Sequence, residues 1–457
     1  MKQLIRLKIE KIAMGGFGLA YNDGRAIFVP YTVPEDIVEI VLTHISKNYA
    51  FGKVVNFISY ADSRIKVNCD AFAAKNACGG CDWLMLKYTE QLKYKDQLIQ
   101  DVFSPFIKQD IILPIVASPK ANHYRNKVFM PVAENRKTGK ISYGIYERFS
   151  HRVVEHKSCE NHPPDFDLLA NEIMEFCTTT NIKPYNEIQH RGQLRHIGFR
   201  CSADTSEILV ILVTLGAKLP FTKLLVKKLT ADFPQIKGII QNINREKGNV
   251  ILGDEEKLLF GSKHFIDTLN NIKFRINYRS FWQINSGTIA NILNIISSQV
   301  NSEDVILDAY CGIGTIGISL AAKVKRVVLM EELSAAIDDA KENARMNDID
   351  NVSFVLGKVE DNLASILAKE NITKIILDPP RSGVNKNALE AIIQTDLKEI
   401  IYLSCSPMTL ARDIKILSAS DRYTIGYLQP FDMFPNTWHI ECLAFLFHKD
   451  YNVNREQ

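Results

Sequence analysis

Period-two alternation of apolar and polar residues predicts short strands over 4–9, 26–29 and 37–42, with turns at Gly15-Gly16-Phe17-Gly18 and Asn22-Asp23-Gly24. Short strands with glycine corners over residues 1–58 predict a small all-β barrel of the OB type, a frequent nucleic-acid platform. A helix is expected over 89–103, capped by Thr89 and stopped before Pro105. The rest of residues 59–275 reads as mixed α+β, with strands over 140–146 and 208–215 and a helix over 163–178. Over residues 276–457 the rhythm changes. A strand over 304–307 is followed by a helix beginning at Gly317, a strand over 326–330 and a helix over 334–346. Further strands are expected over 352–356, 374–377 and 399–403. Such alternation predicts an α/β, doubly wound, mostly parallel sheet.

Composition adds limits rather than identity. A chain of 457 residues, 46% apolar and 23% charged, is an ordinary globular mix with room for roughly two to four domains. The net charge of +3 does not by itself announce a nucleic-acid partner. No apolar run approaches the ~18 residues of a membrane span and no leader-like stretch follows Met1, so a cytoplasmic protein is expected. Nine cysteines without a secretion signal argue for metal binding or catalysis over a disulfide framework. Cys78 and Cys81 form a C-x-x-C, with Cys69 upstream and Cys159 far downstream, whereas Cys405 stands alone.

The first strand of the alternating region runs into Asp308-Ala309-Tyr310-Cys311-Gly312-Ile313-Gly314-Thr315-Ile316-Gly317, whose glycines allow a tight turn against a ligand. Glu331 ends the next strand, where an acid can bind both hydroxyls of a ribose. Alone, this pattern also describes a nicotinamide site or a plain tight turn. Two features point to S-adenosylmethionine: the Asp308-x-x-Cys-Gly opening, and Asp378-Pro379-Pro380-Arg381 after a later strand. Residues before proline avoid the α region, so the backbone there is extended and the Asp378 carboxylate is expected to face the pocket.

The strand over 399–403 ends in Ser404-Cys405-Ser406-Pro407 and continues as a helix, with Ser406 as N-cap and Pro407 at the first helical position. Cys405 then lies beside a helix N-terminus, whose partial positive charge favours thiolate. A lone cysteine is usually a small buried apolar residue; this one ends a strand on the same edge as the cofactor loops. Carbon 5 of uracil is too weak a nucleophile to take a methyl group unaided, and a thiolate adding to carbon 6 makes an enolate that can. A base must then remove the carbon-5 proton, and Glu441 at the mouth of the last apolar strand is the candidate.

At this point the chain resembles the uracil-5 RNA methyltransferase family over nearly its whole length. Ser404-Cys405-Ser406-Pro407 with Thr409-Leu410-Ala411-Arg412-Asp413 is similar to its nucleophile motif. Asp432-Met433-Phe434-Pro435 leading to His439-Ile440-Glu441 is similar to its general-base motif. Phe281-Trp282-Gln283-Ile284-Asn285 resembles the segment whose glutamine contacts cofactor or base, and Tyr310, Glu331 and Asp378 correspond to its methyl-donor contacts. The resemblance implies a Rossmann-like class I methyltransferase domain over 276–457, preceded by a TRAM domain over 1–58 and a central α+β domain over 59–275. It also implies a [4Fe-4S] cluster on Cys69, Cys78, Cys81 and Cys159, as in the 23S ribosomal-RNA members; transfer-RNA members generally lack it. Four thiolates suit such a cluster, although spacing alone leaves a four-cysteine zinc site open, and the Cys69–Cys78 gap is wider than the family's. Cys177, Cys201, Cys311 and Cys442 read as core thiols.

For RNA, residues 120–157 carry nine Lys or Arg against three Glu, interleaved with Tyr124, Phe129, Tyr143, Tyr146 and Phe149. Basic groups attract phosphates and rings stack on unpaired bases, and the target base must leave its stack to reach Cys405. A monomer suits an enzyme acting on a large RNA. The competing readings are a transfer-RNA uracil-5 methyltransferase, a nitrogen methyltransferase, a non-catalytic iron–sulfur RNA-binding protein and, last, a nicotinamide dehydrogenase. Nitrogen chemistry needs neither Cys405 nor Glu441 and wants an aromatic where Arg381 stands. A binding module needs no complete set of cofactor loop, nucleophile and base.

Overall fold

The computed structural model describes residues 4–73, 77–135 and 138–451. The N-terminal unit is a six-stranded all-β sheet ordered Ile5–Lys8, Ile37–Ile45, Tyr49–Ser59, Arg25–Val29, Phe17–Asn22 and Lys11–Ala13. Alternation puts Leu7, Ile9, Ala20, Ile27, Val29, Val38 and Ile40 into its small core. Three register shifts between Ile37–Ile45 and Tyr49–Ser59 bend that pair, as curling of a small sheet requires.

The middle unit is a seven-stranded mixed sheet running from Glu255–Gly261 through Ile236–Ile243, Ile208–Thr214, Leu194–Cys201, Lys127–Glu134 and Ile141–Tyr146 to Val153–Glu155. Ile208–Thr214 is buried at every residue, as an unbroken apolar run predicts. Helices Pro164–Thr179 and Thr222–Asp232 contribute Phe166, Leu169, Ile173, Leu225 and Leu229 to this unit's core.

The C-terminal sheet is ordered Val352–Leu356, Arg326–Glu331, Val305–Asp308, Lys374–Leu377, Glu399–Ser404, Glu441–His448 and Tyr423–Phe431. The first five strands are parallel and the last two antiparallel. The expected doubly wound sheet is therefore present, with helices packed into two separate cores. One core takes Tyr88–Phe103, Val359–Lys369, Lys386–Ile393 and Pro407–Ala419; the other takes Ser286–Ser298, Thr315–Leu320, Ser334–Met346 and the hairpin His264–Leu269/Ile272–Asn277. Strand order reverses between Val305–Asp308 and Lys374–Leu377, and ligands of open α/β sheets bind at such a switch point.

Several boundaries move. Thr89 is not an N-cap: the helix is Tyr88–Phe103, Lys87 precedes it and no side chain caps it. Tertiary contacts set this start, because Gln91 and Tyr88 of the first turns are both engaged by distant segments. The helix after the glycine loop begins at Thr315 rather than Gly317. Gly317 instead lies inside it, where a Cβ would come within 2.5 Å of Leu329, so only glycine lets the helix rest on its neighbouring strand.

Candidate functional site

The carboxyl ends of the C-terminal strands open into a cavity of about 1400 Å³. Cys69, Cys78, Cys81, Cys159, Gln283, Tyr310, Glu331, Asp378, Cys405 and Glu441 all line it. Residues separated by hundreds of positions are thus brought to one wall-to-wall space.

Cys405 and Glu441 meet through strand register. Ser404 faces Cys442 in the antiparallel pairing of Glu399–Ser404 with Glu441–His448, so the chain's next step sets Cys405 against Glu441. Glu441 is 3% exposed, not the solvated edge residue a strand-opening carboxylate usually is. Burial, with Asp378 adding to it, holds the Glu441 proton well above the ordinary carboxylate range, while Arg381 opposes this. Burial likewise pushes the Cys405 thiol up to about 11, reinforced by Glu441 and countered by Arg381, which hydrogen-bonds it. Here desolvation outweighs the helix terminus expected to favour thiolate. Ser406 does occupy the N-cap position and Pro407 the first turn, but the Ser406 hydroxyl makes no cap bond; its carbonyl accepts the Thr409 hydroxyl at 3.1 Å.

The loop leading to Glu441 is anchored from beneath. Lys95 Nζ donates to Asp432 Oδ1 at 2.6 Å and to the Phe434 carbonyl at 3.1 Å, with both charged side chains fully buried. His439 is kept neutral, its pKa lowered to about 4 chiefly by burial and then by Arg381.

On the donor side, Gly312 and Gly314 adopt positive φ (55° and 84°), which turns the loop back on itself. Glu331 Oε2 accepts the Gly312 N–H at 3.1 Å and Oε1 accepts the Leu333 N–H at 3.0 Å, fixing the carboxylate at the cavity edge. Gln283 Nε2 donates to Asp378 Oδ2 at 3.1 Å. Burial raises Asp378 to about 7, with Asp308 adding to it and Gln283 opposing. Asp308 anchors the helix by accepting the Gly317 N–H at 2.9 Å. The cavity exceeds the ~300–1,000 Å³ of an ordinary small-molecule site.

The four cysteines form one wall. The Cys78 N–H donates to the Ala71 carbonyl at 2.9 Å, and the Gly80 N–H points at Cys78 Sγ at 3.4 Å. Asn161 Nδ2 donates to Cys81 Sγ at 3.1 Å. The Cys159 N–H donates to Asp167 Oδ2 at 2.9 Å, and Asp167 also holds His156 and His162. Burial raises Cys69, takes Cys78 to about 11 and lifts Cys81 well above the usual thiol range. Burial also pushes on Cys159, but His162 beside it wins and brings it to about 7. Neutral buried thiols gain little from N–H donors aimed at their sulfurs; metal-bound thiolates gain more.

Arg381 is the site residue that sequence reasoning passed over: it stands in the Asp-Pro-Pro-Arg segment, and only the fold brings it to hydrogen-bond Cys405. The basic run over 120–157 is not one surface. Arg125 and Lys127 line the cavity, Arg148 pairs with Asp82 at 2.6 Å, and Arg136 and Lys137 lie outside the described residues. Tyr124 and Tyr143 are buried, so they are not stacking platforms, whereas Phe149 is 89% exposed. Cys177, Cys311 and Cys442 are buried thiols and Cys201 is partly exposed. No described helix is long and apolar enough to cross a membrane.

Comparison with known proteins shows the family to which the chain belongs. Residues 87–449 match the family described as tRNA (Uracil-5-)-methyltransferase, and residues 2–55 match the TRAM domain. An uncharacterized RNA methyltransferase of Halalkalibacterium halodurans is 35% identical over 448 residues, spanning 97% of this chain and 96% of that protein. One from Clostridium tetani is 35% identical over 444 residues, spanning 96% and 95%. Among solved structures, the Pyrococcus abyssi tRNA (uracil-54, C5)-methyltransferase in complex with S-adenosyl-L-homocysteine superposes with a TM-score of 0.77 at 24% identity, covering 97% of this chain and all of that one. That likeness concerns the fold, while the sequence matches span nearly the whole chain: it belongs to the family of S-adenosylmethionine-dependent RNA uracil-5 methyltransferases.

Proposed function

We propose that this protein converts uridine to 5-methyluridine in 23S ribosomal RNA through a covalent cysteine–uracil adduct, acting as a cytoplasmic monomer. The observation that carries this reading is Cys405 set against Glu441 by strand register on the same cavity as the donor residues. Tyr310, Glu331, Asp378 and Gln283 hold S-adenosylmethionine, which supplies an electrophilic methyl group when bound. Cys405 releases its proton to water, and its sulfur bonds to carbon 6 of the flipped uracil as the carbon 5–carbon 6 π pair shifts into the ring, leaving an enolate nucleophilic at carbon 5. Arg381 stabilises the sulfur anion before attack. After carbon 5 takes the methyl group and S-adenosylhomocysteine leaves, Glu441, having first released its own proton to water, takes the carbon-5 proton, the carbon 5–carbon 6 double bond re-forms and the sulfur departs as thiolate.

The cysteine wall points to 23S RNA by way of a [4Fe-4S] cluster on Cys69, Cys78, Cys81 and Cys159. Four cysteines share one wall, with N–H donors aimed at the Cys78 and Cys81 sulfurs, and four thiolates are the ligand set such a cluster takes. Nucleoside mass spectrometry on 23S and transfer RNA from cells with and without the gene tests the substrate. Loss of 5-methyluridine at a 23S site is expected. Loss from transfer RNA alone would move the assignment there, and unchanged 5-methyluridine in both would overturn the activity.

Both reacting groups are held protonated by burial, so adduct formation should accelerate with pH. The thiolate fraction below its pKa grows about tenfold per pH unit, and a log-rate slope near this is expected from pH 6 to 8 in single-turnover assays. A rate that falls with rising pH would contradict thiolate attack.

The outer face of the TRAM sheet supplies an RNA path. Lys11, Leu19, Phe28, Phe51 and His44 face one another across five strands, with Tyr21 and Tyr49 in the adjoining row. Phe28 and Phe51 lie 5.6 Å apart, Tyr49 and Phe51 6.0 Å apart, and Tyr21 and Tyr49 are 48% and 40% exposed. None of these rings belongs to the barrel's own core. Stacking contributes about 1–3 kcal/mol per base, so Tyr21→Ala with Tyr49→Ala should raise KM for RNA at least about tenfold with kcat unchanged. An unaltered KM would remove this face from the RNA path.

A further inference from the structure

Three buried amides connect the base-bearing loop to the cysteine wall, and fixed backbone groups set their orientation. Gln91, 2% exposed, points Nε2 at the carbonyls of Trp83 and Leu86, each at 3.2 Å, so its amide end is assigned. The same Nε2 reaches Asn436 Oδ1 at 3.1 Å, and Gln91 Oε1 accepts the Asn436 N–H at 2.8 Å. Asn436 Nδ2 therefore faces away, towards the Ala121 carbonyl at 3.2 Å, Asn122 Oδ1 at 3.3 Å and Asn161 Oδ1 at 3.0 Å. With its oxygen engaged, Asn161 can present only its N–H to Cys81 Sγ, at 3.1 Å. Asn436 adopts φ 65°, a conformation asparagine tolerates better than most residues. Its carbonyl accepts both the Asp82 and Trp83 N–H groups at 3.0 Å, directly after Cys81.

We propose that Asn436 and Asn161 are positioning residues: a one-way amide relay from Gln91 to Cys81 that makes the placement of the Glu441 loop depend on the occupied cysteine site. This rests on the cluster reading above. A donor aimed at sulfur favours an electron-rich, metal-bound thiolate. Binding there anchors Asn161, Asn161 anchors Asn436, and Asn436 lies in the middle of the 432–441 segment with its side chain and backbone both bonded outside it.

The test uses anaerobically prepared holoprotein, with wild type, Asn161→Leu and Asn161→Asp compared. Asn161→Leu keeps the branched shape and removes both bonds, whereas the isosteric Asn161→Asp keeps the acceptor for Asn436 and removes the donor to sulfur. Three readouts apply: iron content with midpoint potential, hydrogen exchange of residues 432–441, and kcat against KM. Asn161→Leu should shift the potential negative, raise exchange in the loop at least about tenfold and lower kcat with KM for RNA unchanged. Asn161→Asp should shift the potential with exchange close to wild type. Stripping iron from wild type should reproduce the exchange increase. Iron present with loop exchange unchanged in both Asn161→Leu and stripped protein would overturn the relay. Wild-type protein devoid of iron would instead overturn the cluster reading on which it rests.

Discussion

Replacing Cys405 with alanine is expected to lower methyl transfer at least about a thousandfold, on the scale of losing a catalytic nucleophile, and to abolish the covalent complex with 5-fluorouracil-substituted RNA. Fluorine at carbon 5 cannot leave as a proton, so wild-type protein should be trapped after methyl transfer with Cys405 still bonded to carbon 6. Labelled S-adenosylmethionine and a denaturing gel read this directly, and sequencing the trapped RNA names the uridine. The substitution removes a sulfur lining the cavity and leaves its wall otherwise intact, so loss of activity with retained RNA binding isolates the chemistry. Equal transfer by the variant, with no adduct from wild type, would make nitrogen methylation the leading account.

Glu441→Gln separates the second half of the reaction from the first. Turnover should fall by about 10²–10⁴, the usual contribution of a general base. The methylated adduct should then accumulate on ordinary uridine-containing RNA, because the carbon-5 proton has no acceptor and the sulfur cannot depart. The glutamine is nearly isosteric, and it replaces a carboxyl that burial already keeps protonated in the free site, so the fold should tolerate it. If this variant forms no adduct at all, Glu441 serves to activate Cys405 and the proton acceptor lies elsewhere, with Asp378 a buried carboxyl whose charge acts on Glu441.

What was legible in the sequence follows from how local each signal is. The donor loop could be read because its glycines and Asp308 act within one turn: Gly312 and Gly314 supply positive φ and Gly317 a close approach. The seven-residue apolar run at Ile208–Thr214 and the helix Ser334–Met346 were equally plain, since periodicity alone decides them. Cys405 and Glu441 were found one by one, but their pairing depends on the register between two strands and is invisible along the chain. Their protonation depends on burial, a tertiary property, so a local argument from the helix terminus pointed the wrong way. The same limit explains Tyr124 and Tyr143, whose rings among basic residues suggested stacking. Tyr124 instead donates to the Pro435 carbonyl at 3.1 Å beneath the base loop. Asn436 carried no signal at all, because its partners Gln91 and Asn161 lie 345 and 275 residues away.

The insertion of Glu441–His448 between Glu399–Ser404 and Tyr423–Phe431 governs when the enzyme comes into being. A chain emerging from the ribosome folds its early domains first, so the barrel, the cysteine wall and the donor loop can all form while this strand is still unmade. The nascent molecule then holds a thiol with no base opposite it, and an open slot between two strands whose exposed edges invite mispairing. Completion of this one strand fills the slot between its two neighbours and brings Glu441 to the cavity that Cys405 lines.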